Sequence, residues 1–251
     1  MTEQSRPALP REAFIDWLRR EGAARYHDHH PVHVLMHEGR LSKPQLQAWV
    51  LNRYYYQTRI PVKDAIIVSR AAEAGQTDFA RQWSRRIGDH VGDGSGQGGL
   101  ALWLRLAEGV GLDPARVAAC ADVLPGVRFA CDAYVALVRE RSLVEAVASS
   151  LTEFFAPDLM SRRIAAWERH YPWVSAEMLG YFRSRVPRAR RDSEEAIDYV
   201  VRHADTYAAQ RRCVAALIAK TQILWHLLDC LWLAHVAEPG MAPPATAPAP
   251  P

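Results

Sequence analysis

Histidines cluster near the start of the chain: five of the ten, at positions 27, 29, 30, 33 and 37, fall within eleven residues. If this segment is helical, His33 and His37 share one face, which a metal site could use. The sequence has no HExxH motif and no Glu-x-x-His pair, which zinc peptidases and carboxylate-bridged di-iron bundles need. The missing motifs favour histidines that begin a helix or line a pocket over a metal site.

A second polar group lies within a tyrosine-rich segment, residues 52–64. One face of a helix would carry the following side chains at i, i+3, i+4 and i+7: Arg53, Tyr56, Gln57 and Ile60. A guanidinium, a phenol and an amide together suit neither a core nor a plain surface, so we expect this face to line a site. The alternative is a tyrosine-rich packing helix. Pro61 lacks an amide N–H and is expected to kink the helix.

His90 lies at the predicted end of a helix and precedes a glycine-rich segment, since five of the fourteen glycines fall between residues 92 and 99. That segment is not a P-loop, because it follows no strand and lacks the GK[ST] sequence. An imidazole titrates near neutral pH, which makes His90 a candidate general base. The alternative is a histidine that only interacts with the helix dipole.

Five arginines fall within residues 183–191, directly after Tyr181. Tyr181 and Arg185 are i, i+4 neighbours on one helix face and are candidates for a site. A nucleic-acid interface is not favoured, because no aromatic residues alternate with the arginines and three acidic residues follow within 192–195. The remaining arginines are expected at a solvated helix end: Arg188, Arg190 and Arg191.

Two charged residues lie in apolar surroundings, Lys220 in ALIAKTQILW and Glu153 in SSLTEFF. A bare ammonium is costly to bury, so Lys220 must pair or bind an anion. Either the two groups pair with each other, or both surround a ligand. The cations expected inside favour a cavity for a flat polyanion with tyrosine walls. Those cations are Arg53, Lys63, Arg86, Arg185 and Lys220, and those tyrosines are Tyr26, Tyr56, Tyr134 and Tyr181.

Helical signals run along almost the whole chain, whereas strand-like alternation and a βαβ rhythm are missing, so we expect an all-α protein. Capping boxes are predicted at Ser42–Gln45 and Ser142–Glu145, a helix start at Asp113-Pro114, and the end of a first helix at Gly22. Later helices are expected at roughly 44–74, 77–90, 99–111, 126–140, 143–155, 158–169, 175–186, 193–204 and 207–237.

The composition is that of an ordinary globular protein: 251 residues, net charge +3, 49% hydrophobic and 24% charged residues. We expect one all-α domain over residues 1–237 and a solvated Pro/Ala-rich tail over 238–251.

Four widely spaced cysteines without a CxxC pair fit a reducing cytoplasm. The N-terminus lacks the apolar stretch of a signal peptide, and polar residues interrupt the apolar segment 213–237, which we expect inside the protein rather than in a membrane.

Several runs of this sequence resemble the PqqC family of pyrroloquinoline-quinone (PQQ) synthases, and the resemblance spans residues 26–235. The runs are 26–65, 124–134, 148–157, 170–173 and 181–185. It implies a compact seven-helix bundle of the haem-oxygenase/TenA-like type and a homodimer. It also implies ring closure and eight-electron oxidation of a tricarboxylic quinoline precursor, AHQQ, by O2 with release of H2O2. The family uses no metal or organic cofactor. Relatives often work with the small carrier protein PqqD, so the proline-rich tail is interpreted as a linker to such a domain.

The resemblance also implies roles for individual residues. His90 is expected to be the principal base, and Tyr181 and Arg185 to bind the quinone side and stabilise reduced oxygen species. Residues expected to line the pocket and hold the substrate are His27, Arg53, Tyr56, Gln57, Lys63, Arg86, Tyr134, Thr152, Glu153, Arg163 and Lys220.

Two positions depart from the family, and two other functions stay open. Gly94 replaces a second histidine after the expected base, and Met160 stands where some relatives have a pocket histidine, which leaves a weakened oxidase possible. One alternative is therefore a module that binds or delivers PQQ with little turnover. Another is a TenA-like thiaminase, which needs a reactive cysteine, and neither Cys131 nor Cys213 lies in a motif that activates it.

Overall fold

The computed structural model describes residues 6–237 of the chain. Within that range all regular structure is helical and no strand occurs, which confirms the all-α prediction. The proline-rich segment 238–251, expected to be a tail, lies outside the described residues.

The α-helices follow one another with short connections. Their bounds are α1 Arg11–Arg25, α2 Pro31–His37, α3 Lys43–Glu73, α4 Thr77–Val91, α5 Gly99–Gly109, α6 Pro114–Ala119, α7 Pro125–Glu140, α8 Leu143–Ser149, α9 Ala156–His170, α10 Gly180–His203 and α11 Tyr207–Leu231. Two 3-10 segments, His27–His29 and Ser150–Phe155, and a π-helical turn, Trp232–Val236, complete the regular structure of the described residues. The three short helices α2, α6 and α8 and the 11-residue α5 lie between helices of 15 residues or more, so the described chain has more helices than the seven expected.

The three helix starts predicted from capping motifs are confirmed. Ser42 and Ser142 each form a capping box with the residue three positions on. The Asp113 side chain accepts a hydrogen bond from the Ala115 amide at the start of α6, where Pro114 needs no donor of its own. These local signals work because they satisfy amide groups that the helix leaves without a partner.

Some boundaries differ from the sequence prediction. The helices expected at 175–186 and 193–204 form one helix, α10, which begins at Gly180 and contains Pro187. α3, by contrast, runs through Pro61 with bounds close to the predicted 44–74. α1 extends past Gly22 to Arg25, because this glycine serves close packing: a Cβ there would lie 2.6 Å from the Phe155 ring.

The apolar helix α11 packs against α1, α7 and α8 in the interior. The segment Tyr207–Val236 is long and apolar enough to cross a membrane by composition, with a mean hydropathy of 1.4, but 61% of its most apolar stretch is buried inside the protein. The polar residues that interrupt this apolar segment predicted that it lies inside the protein rather than in a membrane, and the structure agrees. Lys220 of this helix is fully buried.

Four aromatic side chains from four helices, α3, α5, α9 and α10, pack together in the interior. Trp49 of α3 lies 5.5 Å from Trp103 of α5, 6.0 Å from Trp167 of α9 and 6.4 Å from Phe182 of α10, measured between ring centroids. The Trp103 indole N–H also donates to the Val50 carbonyl at 3.0 Å. Aromatic contacts of this kind fix the relative positions of these helices.

A buried ion pair within α3 is hydrogen-bonded to α4. Lys63 Nζ lies 2.6 Å from Asp64 Oδ1, and the Trp83 indole N–H donates to the same oxygen at 2.7 Å. Lys63 also donates to Ser150 Oγ at 2.9 Å. Lys63 and Asp64 are 2% and 0% exposed, so the carboxylate is needed to compensate a charge that water cannot reach. This arrangement positions α4 and therefore His90.

Asp64→Asn is expected to destabilise the protein by about 3 kcal/mol or more, because it leaves the buried Lys63 ammonium without its counter-charge. Urea unfolding measures the free energy. The matched control is Asp78→Asn, which removes the carboxylate from an exposed pair with Arg81 at 3.2 Å and is expected to change little. Equal stability of the two variants would contradict the structural role of the Lys63–Asp64 pair.

Candidate active site

A cavity lies between α3, α9, α10 and α11 and the 3-10 segment Ser150–Phe155. Its lining residues are Tyr26, His27, Arg53, Tyr56, Gln57, Ile60, Thr152, Glu153, Ala156, Leu159, Met160, Arg163, Tyr181, Arg185 and Leu224. Its volume is about 60 Å³, room for water-sized molecules. Pockets that hold drug-sized ligands measure roughly 300 Å³ or more, so a tricyclic ligand enters only when side chains move.

The structure brings the predicted site residues into one interior region, but they do not all face the cavity. Those that line it are His27, Arg53, Tyr56, Gln57, Thr152, Glu153, Arg163, Tyr181 and Arg185. Those that are buried without lining it are Lys63, Arg86, His90, Tyr134 and Lys220. The apolar lining from α9 and α11 was not predicted, and its residues are Ala156, Leu159 and Leu224. Helical spacing from Arg163 back to Met160, Leu159 and Ala156 was the signal that could have found most of it.

The polar face of α3 lines the cavity, as its spacing predicts. Arg53 places its guanidinium carbon 3.8 Å from the centroid of the Tyr56 ring. Gln57 Oε1 accepts a hydrogen bond from the Tyr181 hydroxyl at 2.7 Å. The alternative of a plain packing helix does not fit this face, because its guanidinium and amide reach the cavity rather than the core.

Three buried cations around the cavity lack a counter-ion. Among residues 6–237, no carboxylate lies within ion-pair distance of Arg53, Arg163 or Lys220, and these residues are 9%, 2% and 0% exposed. Burial lowers the pKa of Arg163 to about 9, and the charge of Arg53 acts in the same direction. Burial, again with Arg53, lowers the pKa of Lys220 well below its ordinary value. A bound anion would reverse both effects.

Lys220 lies between two parallel tyrosine rings. Its Nζ is 3.4 Å from the centroid of Tyr134 and 4.2 Å from that of Tyr56, and the two rings are 8° from parallel. Nζ has no hydrogen-bond partner within the described residues. The ring faces stabilise the ammonium only partly, so Lys220 keeps donor capacity for a ligand beyond Tyr56.

Glu153 pairs with two arginines rather than with Lys220. Its Oε2 accepts from Arg86 Nη1 at 2.8 Å, and its Oε1 lies 3.6 Å from Arg185 Nη2. Of the two alternatives that the sequence left open, direct pairing of Glu153 with Lys220 is therefore wrong. Burial raises the pKa of Glu153, although Arg86 lowers it. Burial also disfavours the ionised form of Asp192, but Arg86 and Arg185 together hold the pKa of that carboxyl below its ordinary value.

His90 is 2% exposed and carries one hydrogen bond. Its Nδ1 lies 3.2 Å from the Arg86 carbonyl oxygen, which can only accept, so Nδ1 bears the proton. Nε2 is buried without a partner within the described residues and keeps its lone pair. Burial, and next the charge of Arg185, lower the pKa of His90 to about 3, so the ring is neutral at pH 7. A neutral imidazole with a free Nε2 can accept a proton.

The arginines expected at a solvated helix end lie instead in the middle of α10. Arg188 Nε is 3.5 Å from Asp89 Oδ1, and Arg191 also binds this carboxylate. Arg190 is exposed. The prediction missed these contacts because the acceptor, Asp89, is about 100 residues away in sequence. Their effect is to hold the residue next to His90.

The histidines of the cluster at 27–37 make separate contacts. No group of three or more His, Cys, Asp or Glu side chains within residues 6–237 could hold a metal ion. His30 caps α2: its Nδ1 accepts from the Val32 amide and its Nε2 lies 3.1 Å from Asp229 Oδ1. His33 contacts His27 and Arg163, as described below.

The remaining motifs lie apart from the cavity, with one exception. Burial raises the pKa of Cys131 and of Cys213 to about 12, and neither thiol lines the cavity, which disfavours a cysteine nucleophile. Gly94 lies in the exposed loop after α4. Met160 does line the cavity.

Comparison with known sequences identifies the family. A sequence model of the TENA/THI-4/PQQC family matches residues 16–230. A protein of Rhizobium meliloti named pyrroloquinoline-quinone synthase is 50% identical over 237 residues, which cover 94% of this chain and 91% of that protein. The bifunctional coenzyme PQQ synthesis protein C/D of Methylorubrum extorquens is 47% identical over 252 residues, covering 97% of this chain and 67% of that protein.

Solved structures agree in fold at much lower identity. A domain of unknown function with a heme oxygenase-like fold from Shewanella denitrificans has a TM-score of 0.71 at 12% identity and covers 90% of this chain and 93% of its own. A TenA homologue from P. horikoshii OT3 has a TM-score of 0.70 at 12% identity, covering 88% and 98%. These likenesses show a haem-oxygenase-like fold. With the sequence match over most of its length, the chain belongs to the TENA/THI-4/PQQC family.

Proposed function

We propose that this protein carries out the last step of PQQ biosynthesis, in which AHQQ is closed to a tricycle and oxidised by O2 to PQQ. A role as an enzyme of PQQ biosynthesis follows from relatives named pyrroloquinoline-quinone synthase that are about half identical over at least 90% of the chain. The finer assignment of substrate and residues is the proposal.

The observation that carries the proposal is the set of buried cations without counter-ions. Arg53 and Arg163 line a cavity whose walls include tyrosine rings, and Lys220 lies against one of these rings, Tyr56. AHQQ and PQQ both bear three carboxylates on a fused ring system. Three carboxylates would supply the missing negative charge, and charge-assisted hydrogen bonds to arginine are among the strongest in proteins.

The residues divide the chemistry between charge binding and proton transfer. His90 Nε2 is the base that removes protons from the precursor, as its free lone pair allows. Tyr181 donates to Gln57 in the free protein and turns to a quinone oxygen when substrate binds. Arg185 stabilises negative charge that develops on the quinone or on reduced oxygen.

Electrons leave the substrate for O2, and no metal or organic cofactor takes part in the proposed reaction. Each O2 that becomes H2O2 accepts two electrons and two protons from the reduced intermediate. The substrate serves as its own electron carrier, so the protein needs to supply only bases, cationic anchors and a site that excludes water.

The family resemblance adds three proposals about the cellular setting. We infer a homodimer in the cytoplasm that works with the carrier protein PqqD. The likeness to a relative named as a bifunctional C/D protein, of which this chain spans 67%, supports the connection to PqqD.

Lys220→Met is expected to weaken PQQ binding by roughly tenfold or more, because methionine has a volume similar to that of lysine but carries no charged hydrogen-bond donor. Burial lowers the pKa of Lys220 in the free protein, and a bound carboxylate is expected to raise it. At pH values between these two pKa values, PQQ binding is expected to take up a proton, so the affinity rises as the pH falls. Titration calorimetry in buffers of different ionisation enthalpy measures both quantities. The control is Lys43→Met, an exposed position. Unchanged affinity and proton uptake in Lys220→Met would contradict the anion site.

His90→Ala is expected to bind AHQQ without air and to form neither PQQ nor H2O2 when air is admitted, because it lacks the base. Wild-type protein is expected to form both, followed by absorbance and a peroxide assay. The matched control is His203→Ala, since His203 Nδ1 also lies against the carbonyl four residues earlier, Tyr199, but on the exterior. Full turnover by His90→Ala would remove it from the base role. Stoichiometric binding without O2 uptake by the wild type would instead indicate a PQQ-binding module.

A further inference from the structure

His33 joins two cavity-lining residues without lining the cavity itself. It lies on α2 and is 1% exposed. Its Nδ1 is 2.9 Å from the carbonyl oxygen of His27, and its Nε2 is 3.2 Å from Nη2 of Arg163. One ring therefore connects the 3-10 turn at His27 with α9.

The two partners require one protonation state of this ring. A carbonyl oxygen only accepts, so Nδ1 carries the proton, and a guanidinium only donates, so Nε2 carries none. His33 is thus a neutral imidazole. Burial, and next the charge of Arg163, lower its pKa well below the ordinary value, which agrees with this state.

The neutral form matters because of what it does to Arg163. The guanidinium carbon of Arg163 lies 4.8 Å from the centroid of Trp49, and no carboxylate within residues 6–237 is within ion-pair distance. A carboxylate in place of His33 would hold the guanidinium equally well but would neutralise it. The imidazole orients the group and leaves its full charge for a ligand.

We propose that His33 is a positioning residue that aims Arg163 and His27 at a carboxylate of the bound substrate or product. The neutral ring sets direction without supplying counter-charge. This inference rests on the proposed function and adds to it a residue behind the cavity wall. The sequence offered a metal site, a helix start or a pocket wall for this residue, and a position behind the cavity wall is none of these.

The test uses the full chain, PQQ as the probe and three substitutions at one position. His33→Phe removes both hydrogen bonds and is expected to raise the Kd for PQQ roughly tenfold. His33→Gln keeps a neutral acceptor for Arg163 and is expected to stay within about threefold of wild type. His33→Glu keeps an acceptor but neutralises Arg163, and its Kd is expected to rise at least as much as that of His33→Phe.

Turnover separates positioning from a merely structural role. In variants whose thermal melting shows a folded chain, KM for AHQQ is expected to follow the Kd while kcat changes little. His37→Phe is the control, because His37 lies one turn away on the same helix and stacks on His33 at 6.1 Å without contacting the cavity. It is expected to bind PQQ as the wild type does.

Two results would overturn the role of His33. One is wild-type PQQ affinity in folded His33→Glu or His33→Phe, and the other is a loss of kcat with unchanged KM. If His33→Phe does not fold, equal affinity of His33→Gln and His33→Glu would still contradict it, because they differ in charge. Failure of the wild type to bind PQQ would contradict the proposed function itself, so the two failures can be told apart.

Discussion

The interior formed by residues 6–237 holds more cationic side chains than its buried carboxylates pair with, and the fold has to tolerate that excess. Burying an ammonium or guanidinium without a partner is costly. Arg53, Arg163 and Lys220 reduce the cost with tyrosine and tryptophan faces rather than with carboxylates. Ring faces stabilise a cation without cancelling its charge, so the site stays attractive to a polyanion.

The available acids are allocated to other positions. Asp64 holds Lys63, and Glu153 and Asp192 hold Arg86 and Arg185. These pairs connect α4 and α10. They leave three other buried cations without a carboxylate partner, Arg53, Arg163 and Lys220. The site side chains lie mostly on long helices packed around an aromatic cluster, which limits how far the cations can move. The packed helices hold the cationic side chains apart when no bound anion screens the repulsion between them.

Sequence reasoning succeeded where the signal is local and failed where contacts are distant. Capping boxes, the polar face of α3 and the interior place of Lys220 follow from spacing and from the cost of burial. The break predicted between residues 186 and 193 was wrong, because α10 continues through Pro187 and its Asp192 contacts Arg86 and Arg185 from the middle of the helix. The partner of Glu153 and the place of Arg188 depend on how α4 and α10 meet. Spacing within one segment carries no information about that meeting.

The same fold occurs in proteins with 12% identity to this chain, so the helical frame does not determine what the cavity binds. The side chains that select the ligand must then be ones that the helical fold accommodates without being stabilised by them. Replacing Asp64 is expected to damage the frame, whereas removing an unpaired buried cation relieves a desolvation cost. Buried cations without a carboxylate partner are therefore the residues that we propose to specify the ligand, and among residues 6–237 they are Arg53, Arg163 and Lys220.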